Sequence, residues 1–129
     1  MLLNLSEFSS ESLQSQISRQ IRAQILSGEL AAGTSLPSIR ALARSHKISV
    51  ITVQRAYESL DREGLLHSSR GKGFFVSVLT AASRANMARE NLSRNLRPSL
   101  ASARAEGLSQ EDILKTVKAV LREVVNDKE

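Results

Sequence analysis

The sequence predicts a mainly α-helical fold carrying one small β-hairpin, and three observations predict it. Apolar residues recur at helical spacing in three successive stretches, residues 10–28, 37–47 and 49–63. Only a short turn near residues 46–48 separates the second stretch from the third, so two helices must meet almost immediately. After Gly64 the period changes: LLHSS and FFVSV are short β-prone runs around R-G-K-G, which reads as a hairpin. Helix, short helix, longer helix and hairpin, in that order, make a winged helix-turn-helix.

Each element has its own justification. Residues 1–9 are short, mixed and read as extended. From about Ser10, Leu13, Ile17, Ile21 and Ile25 recur every fourth residue and Leu26 widens the stripe. Ser9 or Ser10 can cap this helix, and Gly28 sits where a left-handed residue would end it. Residues 29–36 read as a loop carrying Gly33. Pro37 and Ser38 are a helix-start signal, since proline suits a helix entry and serine accepts from a free backbone N–H. Ile39, Leu42 and Ala43 give this short helix its apolar face, with Arg40, Arg44 and Lys47 mostly off it. Ser49 is the expected N-cap of the next helix. Val53, Ala56, Tyr57 and Leu60 fall at i, i+3, i+4 and i+7, one buried face on which Tyr57 reads as core. Gly64 ends it. In the hairpin, Phe74, Phe75 and Val76 read as strand residues with at least one ring in the core.

Beyond Thr80 the chain is helical again in two pieces. Leu92, Leu96 and Leu100 stack at four-residue spacing in the first piece, near Met87. Pro98 is expected to kink or break it, because proline removes a backbone donor and clashes with the preceding turn. Gly107 ends it. Ser109 and Asp112 then have capping-box spacing, and Ile113, Val117, Val120, Leu121 and Val124 form an apolar stripe. Two amphipathic helices of this size bury too little apolar surface to fold alone. They must pack on their own N-terminal domain or on another chain. The economical expectation is a winged helix-turn-helix domain over residues 1–78 and a two-helix dimerisation element over residues 79–129, joined through Leu92, Leu96, Leu100, Ile113, Val117, Val120, Leu121 and Val124.

Composition narrows the function. The 129 residues carry 18 Lys and Arg against 13 Asp and Glu, a net charge of +5, which favours an anionic partner. With three Phe, one Tyr and no Trp, the chain is poorly equipped to stack on unpaired bases. It has no cysteine, which excludes disulfides, thiolate catalysis and cysteine-based zinc sites. No apolar run is long enough to span a bilayer, and MLLNLSEF lacks the features of a signal peptide, so a cytoplasmic location is expected. His46 and His67 have no further ligands at metal-binding spacing. No catalytic constellation stands out, and neither enzyme activity nor a cofactor is expected. The glycines of R-G-K-G lie between two strands, whereas a phosphate-binding loop needs G-x-x-x-x-G-K-[ST] between a strand and a helix.

The stretch LPSIRALARSHKISVITVQRAYESLDREGLLHSSRGKGFFV resembles the DNA-binding domain of GntR-type bacterial transcription regulators. The resemblance rests on P-S-x-R-x-L-A, T-V-x-x-A-Y, E-G-L and the G-x-G-x-F-V wing, in the right order. QISRQIRAQILSGELAAG is similar to the family's first helix and following loop. A tail of two helices with E-G-L-S-x-E-D-I between them resembles the small YtrA-type subfamily. That resemblance implies a homodimer joined through its C-terminal helices, double-stranded DNA as partner, an inverted-repeat operator, and repression of a transporter-type operon. Positions 50 and 51 depart from the family, which often has Arg, Pro, Asn or Thr there. Val50 and Ile51 cannot hydrogen-bond a base edge, although they can pack on a thymine methyl, so the operator is expected to differ.

Against this background the helix at 49–63 is the candidate recognition helix, with its first turn in the major groove. Its exposed candidates are Ser49, Val50, Ile51, Thr52, Gln54 and Arg55. Gln54 can contact adenine and Arg55 guanine or phosphate; the plainer role for Arg55 is a solvated charge or an ion pair with Glu58. Ser38 and the free N–H groups beside it suit a phosphate, while Ser38 as a simple cap is compatible with that. Arg40 is the strongest candidate for a phosphate or base edge. In the wing, Gly71 permits close approach, Arg70 can enter the minor groove and Lys72 can meet phosphate. Two rival readings remain. One is a winged-helix protein-interaction module. The other is the same regulator acting as a sensor, with a small apolar effector between its C-terminal helices.

Overall fold

The computed structural model describes residues 1–127 of the chain. Five helices and two strands follow in order: α1 (Leu13–Leu26), α2 (Ile39–His46), α3 (Val50–Arg62), β1 (Leu66–Ser69), β2 (Gly73–Val76), α4 (Ala81–Ala105) and α5 (Gln110–Asn126). The expected mainly helical winged helix-turn-helix is present. Two compact units divide the chain, Met1–Asn86 and Met87–Glu129, so the first turns of α4 belong to the first unit. No helix among the described residues is long and apolar enough to cross a membrane.

The core of the first unit is built from stripes that recur at helical period. Ile17, Ile21 and Ile25 of α1 and Val53, Ala56, Tyr57 and Leu60 of α3 are buried, together with Leu42 and Ala43 of α2. Leu36, Leu65, Leu66 and Val76 close it from the hairpin side. Tyr57 is fully buried, its hydroxyl donates to Pro37 O at 2.8 Å, and its ring meets Phe74 edge-on at 5.2 Å. The phenol satisfies its one polar group by tying the entry of α2 to the middle of α3. Burial holds the Tyr57 hydroxyl well above the usual tyrosine pKa. Arg22 of α1 grips Glu63 with two hydrogen bonds, 2.8 and 2.7 Å, at the C-terminal end of α3.

Several elements differ in detail from the sequence expectation. Ser12, rather than Ser9 or Ser10, caps α1, accepting from Ser15 N–H at 3.1 Å. Ser9 instead accepts from Glu11 N–H in the turn before it. Gly28 does end α1, with φ 85°, and a Cβ there would clash with the Arg84 guanidinium. Residues 33–36 are not a plain loop. Leu36 N–H donates to Phe74 O and Val76 N–H to Thr34 O, both at 2.9 Å, so this segment lies along β2 as a third, short β-edge. β1 and β2 pair antiparallel with Leu66 opposite Val76 and Ser69 opposite Gly73.

Residues 2–6 are held by a ladder of glutamine side chains. Gln16 accepts from Ser6 N–H and donates to Ser6 O and Glu11 O. Gln20 makes the same reciprocal pair with Asn4, and Gln24 donates to Leu2 O. A carboxamide carries the same donor and acceptor as a peptide group, so amides one turn apart serve an extended chain as a neighbouring strand would.

In the second unit, α4 runs unbroken through Pro98, against the expected kink or break. Pro98 is exposed, so water can solvate the carbonyl that proline leaves without a donor. Gly107, with φ 97°, turns the chain, and Ser109 caps α5 by accepting from Asp112 N–H at 3.1 Å. No residue of α5 is buried.

Candidate nucleic-acid interface

The helix-turn-helix is set by two caps and one strained residue. Ser38, with extended backbone, accepts from Ala41 N–H at 3.0 Å and so starts α2. Its hydroxyl proton is left free to meet a phosphate, so both roles expected for Ser38 are compatible with the geometry. At the other end Lys47 adopts φ 55° and ψ 46°, and Ile48 N–H reaches back to Ala43 O at 3.0 Å. Lys47 is the one non-glycine residue with positive φ among the described residues. A left-handed lysine reverses the chain between α2 and α3 where glycine would do so without strain.

Ser49 stands at the N-cap of α3 with extended backbone but makes no capping bond through its side chain. It therefore caps by position only, and its exposed hydroxyl is unspent. Val50 and Ile51 are 46% and 47% exposed, although both are apolar. Thr52 is half-buried and Arg55 is exposed. Arg55 makes no ion pair among the described residues, so the expected alternative pairing with Glu58 does not form. Glu58 instead accepts from Gln54 Nε2 at 2.9 Å. That bond holds the Gln54 amide against its own helix while leaving its oxygen and second N–H available.

Arg40, Arg44 and Lys47 line one shallow groove with Ala43, Ile48 and Val50, of about 450 Å³. Of these three cations only Arg40 stands out in the sequence as an interface candidate. Arg44 lies one turn further along α2 and Lys47 is turned by its left-handed backbone onto the same rim. Helical spacing at i and i+4 could have flagged Arg44, whereas nothing in sequence signals the conformation of Lys47.

The wing is a tight turn in which Lys72 N–H donates to Ser69 O at 2.9 Å. Gly71 has φ 74°, and nothing lies within 4 Å of where its Cβ would be. Glycine is thus required by backbone conformation rather than by crowding. Arg70 and Lys72 are exposed on either side. His67 stacks on Phe75 at 5.7 Å, on the hairpin. Among the described residues no group of His, Asp or Glu is gathered to hold a metal ion.

Residues 13–76 match the bacterial regulatory proteins of the gntR family, a span running from α1 to the end of β2. Across 111 residues the chain is 31% identical to the uncharacterized HTH-type transcriptional regulator YhcF of Bacillus subtilis, covering 85% of this chain and 90% of that protein. It is 26% identical over 127 residues to the HTH-type transcriptional repressor YtrA of Bacillus subtilis, covering 98% of each. The solved structure of YtrA from Sulfolobus acidocaldarius, a GntR-family transcription factor, superposes with a TM-score of 0.59 at 30% identity, over 95% of this chain and 98% of that one.

Proposed function

The chain belongs to the GntR family of bacterial regulatory proteins, DNA-binding transcription regulators and not enzymes, and from that premise we propose that it is a homodimeric repressor of an inverted-repeat operator. The observation that carries this reading is the set of exposed cations, Arg40, Arg44, Lys47, Arg55, Arg70 and Lys72, along the helix-turn-helix and the wing. Cations left without acidic partners attract a polyanion, and their placement along the helix-turn-helix and the wing fits the rim of a duplex.

In this reading α3 enters the major groove by its first turn. Arg40, with Arg44 and Lys47 beside it, holds the flanking phosphates and fixes the register. Ser49, Gln54 and Arg55 supply donors and acceptors to base edges. Gly71 lets the wing approach the duplex, with Arg70 at the minor groove and Lys72 on phosphate.

Dimerisation accounts for α5. Val117, Val120, Leu121 and Val124 are 40–59% exposed, an apolar stripe with nothing over it in the single chain. A second copy related by a twofold axis would cover it and set two recognition helices about one helical turn apart, roughly 10 bp. In this reading Leu92, Leu96 and Leu100 of α4 and Ile113 of α5 supply further apolar side chains to the dimer contact. The similarity to a named repressor, YtrA, supports repression, and the subfamily resemblance supports a transporter-type operon.

A second reading adds an effector. Leu92, Leu96 and Leu100 line a groove of about 660 Å³ along α4, rimmed by Arg89, Arg97 and Arg104. An apolar effector seated there would raise the melting temperature.

The test is selection from a random duplex pool, then titration of the recovered sequences at several salt concentrations beside a sedimentation measurement. An inverted repeat bound by a dimer is expected, with affinity falling steeply as salt rises. Salt-sensitive binding without a motif would refute the sequence-specific repressor, and no binding at low salt would make the chain a protein-interaction module.

A further inference from the structure

The first turn of α3 holds a contradiction in surface chemistry. Val50 and Ile51 are 46% and 47% exposed at the head of the helix. Both are β-branched, which gives them no advantage as surface helix residues. Yet Val50 lines the same groove as Arg40, Arg44 and Lys47, and Arg55 lies one turn beyond Ile51 on the outward face. An apolar pair set in a rim of cations suits few partners. A second copy docking here about a twofold axis would bring like charges together. The partner must be polyanionic at its edge and must offer isolated apolar groups between its charges.

The major groove of duplex DNA has this pattern, phosphates along the rim and C5-methyl groups on its floor. Neither valine nor isoleucine carries a donor or acceptor on its side chain. Such a pair cannot distinguish the O4 acceptor of thymine from the N4 donor of cytosine, and it senses only whether a methyl is present. We propose that Val50 and Ile51 read C5-methyl groups in the major groove, accepting thymine and 5-methylcytosine alike and discriminating against uracil and unmethylated cytosine. This rests on the DNA-binding reading above and adds to it the chemical group that is read.

The two failures can be told apart. Duplexes recovered by selection with the full chain are remade with T·A, 5-methyl-C·G, U·A or C·G at each selected thymine in turn. At the positions Val50 and Ile51 cover, T and 5-methyl-C are expected to bind alike. U and C are expected to bind about fourfold more weakly per methyl removed, the value of one buried methyl-sized group. Because both side chains are exposed, the double variant Val50→Ala, Ile51→Ala should fold, bind, and lose the preference for T over U. Equal binding of T and U at every position would overturn the proposal. So would loss on changing T to C that 5-methyl-C does not restore, or a double variant that keeps the T-over-U preference. Failure to recover any binding sequence would instead overturn the DNA-binding reading, and this inference with it.

Discussion

Replacing Lys47 with glycine is expected to make the protein more stable and a weaker DNA binder at once. Lys47 sits at φ 55° and ψ 46° between α2 and α3. An L-residue in the left-handed region loses about 1–2 kcal/mol to the clash of its Cβ with the following carbonyl. Glycine removes that clash but has more chain freedom to lose on folding, about 0.5–1 kcal/mol. The difference favours glycine by up to about 1.5 kcal/mol, about 0.75 kcal/mol at the midpoints, a rise of roughly 3 °C in melting temperature at fixed protein concentration. The same change deletes a cation from the groove shared with Arg40 and Arg44. Losing one phosphate contact flattens the dependence of log affinity on log salt by about 0.9, and by roughly twice that if each protomer of a dimer loses one. Thermal melts and salt-dependent binding titrations measure the two effects separately. Lys47→Arg, which retains both the charge and the strain, should leave both nearly unchanged. A lower melting temperature in Lys47→Gly would refute the strain argument, and an unaltered salt slope would remove Lys47 from the phosphate contacts.

Four further outcomes are expected. Arg40→Ala should weaken binding about uniformly across operator sequences and reduce the salt slope by about 1 per protomer, as loss of a phosphate contact does; unchanged binding in a titration would remove it from the interface. Val120→Asp puts a charge on the exposed stripe of α5 and should convert a dimer to a monomer in sedimentation, with the fold of the first unit intact by circular dichroism. Gln16 is 3% exposed and makes three hydrogen bonds to Ser6 and Glu11, so Gln16→Ala should cost about 1–3 kcal/mol and speed amide exchange at Ser6. Tyr57 is the single tyrosine, and burial raises its folded pKa above the unfolded value of about 10. Stability from the neutral phenol is complete below that value and declines as pH rises toward the folded pKa. Tyrosinate absorbance should therefore appear together with loss of helix in an alkaline titration, and phenolate forming in a folded protein would contradict the burial.

Much of this fold is legible in sequence because its signals are local. The isoleucine stripe of α1, the face formed by Val53, Ala56, Tyr57 and Leu60, the Ser38 and Ser109 caps and the R-G-K-G turn depend on neighbours a few residues away. The candidate interface is legible to the same extent, since Ser38, Arg40, Arg55, Arg70 and Lys72 lie on elements whose periodicity fixes which side faces out. Local signals mislead where several candidates compete. Ser9, Ser10 and Ser12 all stand just before α1, and only the folded path of residues 2–12 selects Ser12 as the cap.

Tertiary structure alone decided the rest, because those features join residues far apart in the chain. Residues 33–36 read as a loop by composition and become a β-edge only when β2 offers them unpaired backbone groups. Gln16, Gln20 and Gln24 look like ordinary polar positions until an extended segment lies across them. Pro98 reads as a helix breaker, yet it stands exposed in α4, where water can solvate the carbonyl left without a donor. The meeting of Arg40, Arg44 and Lys47 around Val50 follows from the left-handed turn at Lys47. A backbone conformation paid for by packing on both sides leaves no trace in the residue's own identity. Sequence determined the helices, the hairpin and the family; the fold determined which charges share a rim and which apolar side chains stand inside it.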